Sequence, residues 1–309
     1  MRFLITGAAG FLGSALANRL VREGHSVRGL DDLSTGSPDA LLPEVHLTRG
    51  DINDRPKLWT LLQDVDCVYH LAARVSVPES VLYPREYNHV NVGGTVTLME
   101  AMRDVGVRRV VLISSGAVYG EQEHQPLSED ARPQPRSPYA VSKLSAEYYV
   151  NTIGRLWGIE TVVLRVFNAY GPGQHLPPVH APVIPHFLRQ AWNNGTIVVH
   201  GDGNQTRDYV FVDDVVNAMV AAANASRVNQ RIINVGSGTE TSVRELVQLI
   251  LEVTGSHPQV IYNPRNDGGV QRMCADISLA RELLGYVPTI GLRQGLQLTL
   301  ERDSRIRQR

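Results

Sequence analysis

The stretch Thr6-Gly7-Ala8-Ala9-Gly10-Phe11-Leu12-Gly13 lies between a short apolar run, Arg2 to Ile5, and a helical pattern, Phe11 to Glu23. Glycines at this spacing, entered from a strand and left through a helix, narrow the choice of fold sharply. Gly7 permits a tight turn, Gly10 keeps the backbone bare towards a ligand, and Gly13 lets helix and sheet pack closely. The runs Ser26 to Leu30, Val45 to Arg49, Cys67 to Leu71, Arg109 to Ile113 and Glu160 to Val166 also read as strands, with helical patterns such as Asn88 to Val105 between them. Strand and helix in alternation predict an α/β fold built on a doubly wound parallel sheet of the Rossmann kind.

After Arg165 the rhythm breaks into a Gly-, Pro- and His-rich loop, Tyr170 to Pro185. A helix (His186 to Asn193), a strand (Thr196 to His200) and a glycine turn (Gly201 to Asn204) follow, then a helix near Asp213 to Ala223 and a strand near Arg231 to Val235. This order predicts interleaved units: a dinucleotide-binding domain over residues 1–167 plus about 208–236, and a smaller α/β substrate lobe over about 168–207 plus 237–309. Ser242 to Thr254 and Leu279 to Leu284 read as amphipathic helices, and the charged tail Glu301 to Arg309 as a solvated, frayed end.

Composition excludes several classes. Thirty basic and thirty-one acidic residues leave a net charge of -1, too little to hold nucleic acid or anionic lipid non-specifically. The chain's two cysteines, Cys67 and Cys274, have neither disulfide-framework nor metal-ligand spacing, so no metal is expected. No apolar run approaches the roughly 18 residues of a membrane span. Met1 leads through Arg2 straight into Phe3-Leu4-Ile5, with no room for a signal peptide. A soluble cytoplasmic protein is expected.

A helix opening on Gly10 to Gly13 offers free N–H groups and a positive dipole end to a pyrophosphate. The second strand ends in Leu30-Asp31-Asp32, eighteen residues beyond Gly13, where a carboxylate can accept hydrogen bonds from an adenosine ribose. Asp31 would also repel a 2′-phosphate, which favours NAD over NADP, although Arg28 leaves an opening for the latter. Gly50-Asp51-Ile52 suits an adenine edge, and the small residues of Leu71-Ala72-Ala73 can line a cofactor. His70 reads as a core histidine.

Tyr139-Ala140-Val141-Ser142-Lys143 puts a phenol and an ammonium on one helix face. The ammonium should favour phenolate, drawing a pKa of about 10 towards general-base range. The fifth strand runs out through Ser114-Ser115 over the crevice where such sheets bind ligands, so Ser115 can hold a reacting hydroxyl beside Tyr139. Asn91 can tie the nearby backbone in place.

TGAAGFLG (6–13), DDLSTG (31–36), HLAA (70–73), NVGGT (91–95), SSGAVYG (114–120), YAVSK (139–143), LRVFNAYGPGQ (164–174) and GDGNQTRDYVFVDD (201–214) together resemble the extended short-chain dehydrogenase/reductases. Within them, the chain is most similar to the nucleotide-sugar epimerases of the UDP-glucose 4-epimerase type. The resemblance implies NAD held by Phe11, Leu12, Asp31, Ser34, Thr35, Gly36, Asp51, Ile52, Asn91, Ser114, Tyr139, Lys143 and Phe167. It implies a UDP-sugar whose diphosphate meets Asn168 and Arg207, with Val183, Val199 and His200 beside the nucleobase. A forked arginine suits phosphate on physical grounds too; an ion pair with Asp208 is the alternative for Arg207. Residues 265–270 depart from the usual pattern, leaving Arg265 or Arg272 as the second phosphate arginine. Met273 falls near the position that limits sugar size, so acceptance of an N-acetyl group stays open. A homodimer is also implied, through a four-helix bundle of the helices near Asn88 to Val105 and Tyr139 to Trp157.

The related 4,6-dehydratases carry Asp-Glu where this chain has Gly116-Ala117, which argues against dehydration. Uronate epimerases often carry Thr at the place of Asn168. Inversion of a neutral hexose at C4 is therefore expected, by transient oxidation to a 4-keto sugar and return of the hydride. The alternatives are a nucleotide-sugar reductase or dehydrogenase using NAD(P), a UDP-glucuronate epimerase or decarboxylase, and a non-catalytic dinucleotide sensor.

Overall fold

The computed structural model describes residues 1–263 and 269–308. Seven strands form one parallel sheet: β1 (Arg2–Thr6), β2 (Ser26–Asp31), β3 (His46–Arg49), β4 (Cys67–His70), β5 (Arg109–Ser115), β6 (Glu160–Val166) and β7 (Arg231–Val235). Their order across the sheet is β7-β6-β5-β4-β1-β2-β3. Successive connections run outwards in opposite directions from β1, so the carboxyl ends of β1 and β4 flank a crevice, the place where doubly wound sheets take their ligands.

Both faces are covered, which is why the central strands are apolar along their whole length. Leu4, Val68, Val110, Leu112 and Val163 point to one side, against α2 (Gly94–Val105) and α3 (Pro138–Trp157). Phe3, Ile5, Tyr69, Val111 and Leu164 point to the other, against α1 (Phe11–Arg22) and α4 (Val212–Asn224). That second cluster continues without a break into the remaining residues, through Ile184, Leu188, Leu246, Ile250 and Leu296. There, short ladders take over: Asn168–Tyr170 with Tyr209–Phe211, Ile197–His200 with Val260–Asn263, and Thr206–Arg207 with Thr241–Ser242.

Three differences from the sequence reading have physical causes. The helix expected over Asn88 to Val105 begins with a π-helical turn, Asn88–Gly93, before α2. The helix expected from His186 starts at Val183, because Pro185 lies in its first turn, where the missing N–H costs no hydrogen bond. The tail is not frayed: α5 (Leu292–Arg302) leads into a turn, Ser304–Ile306, whose Ile306 is wholly buried and whose Asp303 accepts a fork from Arg305. Charge content suggested a solvated end, and one apolar side chain overrides it.

Under the crevice, α3 is tied to the sheet by a buried ion pair. Arg165 of β6 donates Nε and Nη2 to Glu147 at 3.0 and 2.7 Å, and the Ser114 hydroxyl of β5 donates to the same carboxylate. The side chains are 3% and 2% exposed. Glu147 stands eight residues beyond Tyr139 and four beyond Lys143 on one helix face, so the pair fixes the rotation of the helix that carries them. Removing one partner strands a charge in a dry interior. We expect Arg165→Met to lower unfolding free energy by about 3–5 kcal/mol and Arg165→Met/Glu147→Leu to cost less, measured by denaturant titration. Equal losses in both would deny the pair this role.

Candidate active site

The glycines of the first loop divide by what surrounds them. Gly7 has φ +73°, and a Cβ there would stand 2.7 Å from the Ala72 backbone; at Gly13 it would meet the Gly7 carbonyl at 2.0 Å. The protein itself requires both. Gly10 has an ordinary extended conformation, and the tightest contact of a Cβ there would be 3.4 Å, so only something approaching from the crevice calls for its bareness. No side chain caps α1 and no acidic residue sits in its first turn, which leaves its positive end to whatever enters.

A cavity of about 360 Å³ opens there. All the residues expected to touch the cofactor line it except Gly36, which packs on Ala9, and Asn91. Asp31 accepts from Ala9 N at 2.9 Å and from Leu33 N at 2.8 Å. Its carboxylate thus shapes the loop as well as facing the cavity. Arg28 is turned away, donating to the Leu61 and Gln63 carbonyls, so it offers nothing to a 2′-phosphate. The cavity offers a carboxylate to an adenosine ribose, a bare helix end to a pyrophosphate and small residues to a nicotinamide, and the residues present fit NAD.

Ser115, Tyr139 and Lys143 line the same cavity. Tyr139 is held by its surroundings: its ring meets Tyr87 edge-on at 6.4 Å, and its carbonyl accepts from Ser142, whose Oγ accepts in turn from Asn91 at 2.9 Å. Asn91 also bonds both backbone groups of Arg74, at 2.7 and 3.0 Å, so the π-helical turn joins two cavity walls. Phe167 lies flat against Gly116, where a Cβ would stand 3.2 Å from its ring. His70 is a core histidine, bonded to Thr6 at 2.7 Å and Thr95 at 2.9 Å, and burial with the Lys143 charge holds its pKa down to about 3.

The electrostatics differ from the expectation that Lys143 lowers the phenol. Burial pushes Tyr139 up, with the Ser115 hydroxyl offsetting part of the rise. Burial also pushes Lys143 down to about 8, with Glu147 offsetting part of the fall. In so dry a place, desolvation outweighs the ammonium's field. Lys143 accordingly gives up its charge near pH 8, whereas the Tyr139 phenol holds its proton to higher pH than in water.

Of the residues expected at the diphosphate and base, those described lie outside this cavity. Arg207 is mostly buried and donates to the Thr206 carbonyl at 2.7 Å. Its neighbour Asp208 turns inwards and accepts from Ser237, Gly238 and Ala275. Arg272 forks onto Glu240 at 2.7 and 2.6 Å. Val199 is wholly buried, Met273 nearly so, Val183 begins its helix, and Asn168 and His200 are exposed. Arg265 lies outside the described residues. The sequence reading missed Arg74, Val75, Val90 and His175 in the cavity wall. His175 follows the GPGQ run directly, and no periodicity marks a loop residue.

Residues 3–236 match the family described as NAD dependent epimerase/dehydratase. The chain belongs to that family. It is 42% identical over 97% of its length, and 98% of the relative's, to the UDP-glucose 4-epimerase of Mycolicibacterium smegmatis. Among solved structures, it superimposes on UDP-glucose 4-epimerase of Thermotoga maritima with UDP-glucose at a TM-score of 0.94, with 34% identity and 98% of each chain covered. The NAD complex of Thermus thermophilus UDP-glucose 4-epimerase gives a TM-score of 0.90 at 32% identity, again covering 98% of each chain. The cofactor of this chain is accordingly NAD, and the enzyme is an isomerase similar to the UDP-glucose 4-epimerases.

The phenol's proton sets a pH dependence. A phenolate base forms only when a phenol that burial holds up has lost its proton, so kcat should rise with pH into the alkaline range. Lys143→Met leaves a phenol whose pKa burial has raised. Its rising limb should move to higher pH, with kcat at neutral pH down about a hundredfold or more. A limb that stays in place in this variant would assign the titration to another group.

Proposed function

We propose that the enzyme inverts a UDP-hexose at C4, interconverting UDP-glucose and UDP-galactose. The observation that carries this reading is the convergence of Ser115, Tyr139 and Lys143 on the one cavity that also holds the glycine loop and Asp31. NAD, when bound, supplies a hydride acceptor and donor at the sugar carbon. Tyr139 takes the proton from the sugar O4 and later returns it, Ser115 holds that oxygen, and the Lys143 ammonium stabilises the phenolate. A sugar that passes through a 4-keto form and turns over in the site receives its hydride on the other face. Net inversion follows, with no cofactor consumed.

Gly116 and Ala117 supply no acid or base for dehydration, and Asn168 suits a neutral hexose. Residues 168–207 and 237–309 form the sugar-nucleotide lobe in this reading. Arg207 meets the diphosphate with Asn168, and Val183 and His200 border the base, whereas the expected Val199 is wholly buried and reaches no ligand. Arg272 can join only by leaving Glu240. Both cysteines are buried and free, and no described helix is long and apolar enough to cross a membrane, features that suit the cytoplasm.

Purified enzyme given UDP-galactose should form UDP-glucose without added NAD and should retain its nucleotide through gel filtration. No inversion across UDP-, dTDP- and GDP-sugars would sink the reading, whereas reduction needing free NAD(P)H would make the enzyme a reductase.

We also infer a homodimer through α2 and α3. Tyr148 and Leu156 of α3 are 63% and 74% exposed, and Val81 and Leu82 of the adjoining helix Val77–Leu82 extend the apolar face. Exposed apolar side chains on adjoining helices favour a partner that covers them. Tyr148→Asp/Leu156→Asp should halve the mass seen by light scattering at unchanged circular dichroism. A wild-type monomer at micromolar concentration would refute this arrangement.

A further inference from the structure

The chain's last turn reaches the cavity wall through one loop. Gly171 to His175 follows the strand Asn168–Tyr170, and both Ala169 and His175 line the cavity that Phe167 and Ser115 also line. The loop has little structure of its own: Gly171 and Gly173 have φ of 153° and 86°, and His175 is exposed. It is held from outside. Gly173 N donates to Asp303 Oδ2 at 3.0 Å, Arg305 Nη2 donates to the Gln174 carbonyl at 2.9 Å, and Gln174 Nε2 donates back to the Ala169 carbonyl at 3.2 Å.

The clamp that makes these bonds is itself rigid. Arg305 forks onto Asp303 at 2.8 and 2.6 Å, Asp303 is 5% exposed, and the wholly buried Ile306 anchors the turn they share. Asp303 thus accepts from the loop and from Arg305 together, and Nη2 of Arg305 gives its second hydrogen to the loop. Neither side chain enters the cavity. Two backbone bonds to adjacent loop residues, made from a segment about 130 positions away, serve no ladder and cap no helix of the loop. What they fix is the position of His175.

We propose that Asp303 and Arg305 are positioning residues for the sugar: by clamping the Gly171–His175 loop they hold the His175 imidazole in the cavity wall, where it hydrogen-bonds a hydroxyl of the hexose. The proposal rests on the nucleotide-sugar reading above and adds a determinant of substrate affinity remote from the catalytic trio. Arg305→Ala removes the fork and the bond to Gln174 while leaving the folded core intact, because the Arg305 side chain is 44% exposed. Asp303→Asn keeps an acceptor for Gly173 and weakens only the fork, as a milder second variant.

Two measurements test it in the full-length enzyme. Amide exchange at Gly173, which needs no substrate, should quicken in Arg305→Ala, and KM for the UDP-hexose should rise about five- to tenfold, the worth of one hydrogen bond, with kcat little changed. His175→Ala should raise KM by itself, and adding Arg305→Ala to it should add less than about twofold, because the two act through one contact. Faster exchange with unchanged KM, a full further rise in the His175→Ala background, or a fall in kcat and thermal stability at constant KM would each overturn the proposal. A wild-type enzyme inactive on every nucleotide sugar would instead sink the functional reading and this proposal with it. That failure shows in the wild type and not only in the variants.

Discussion

The buried contact between Arg165 and Glu147 holds the site to the fold. It joins β6 to α3, and through Ser114 it reaches β5, so three elements whose ends form the crevice meet on one carboxylate. A charge pair in so dry a place stabilises little by itself, since desolvation offsets most of the attraction, but it tolerates only one geometry. The orientation of Tyr139 and Lys143 on the same helix face is the consequence. Ser142 and Asn91 carry the constraint onward to Arg74 on the opposite wall.

Burial, which makes this rigidity possible, also sets the chemistry. It raises the phenol and lowers the ammonium, so neither holds its charge as it would in water. Their pKa values, close together in water, are thereby driven apart, the phenol's upwards and the ammonium's down to about 8. His70, one strand away, shows the limit of the same effect: enclosed by two threonine hydroxyls and facing Lys143, it stays neutral and takes no part.

The legible parts of this protein were local. The glycine loop, the acid after β2 and the YAVSK face each place their groups within a few residues, and strand ends project into a crevice by the geometry of a parallel sheet. The residues these motifs place at the strand ends do line one cavity. The far lobe could not be read this way, because Ile197–His200 and Val260–Asn263 or Thr206–Arg207 and Thr241–Ser242 pair across long intervals in ladders of two to four residues. Such ladders have no period to detect. Arg272 and Arg207 are equivalent as sequence, and only their partners, Glu240 for one and the Thr206 carbonyl for the other, tell them apart.

By itself, then, the sequence determined the parallel sheet and the gathering of Ser115, Tyr139 and Lys143 beside the glycine loop, because each follows from spacing along a strand, a turn or a helix. Tertiary structure alone decided the protonation of Tyr139 and Lys143, the docking of the C-terminal turn and the presence of His175 in the cavity wall. Those properties depend on how much water and which distant groups surround a side chain. That information arises only when segments far apart in the chain are brought together.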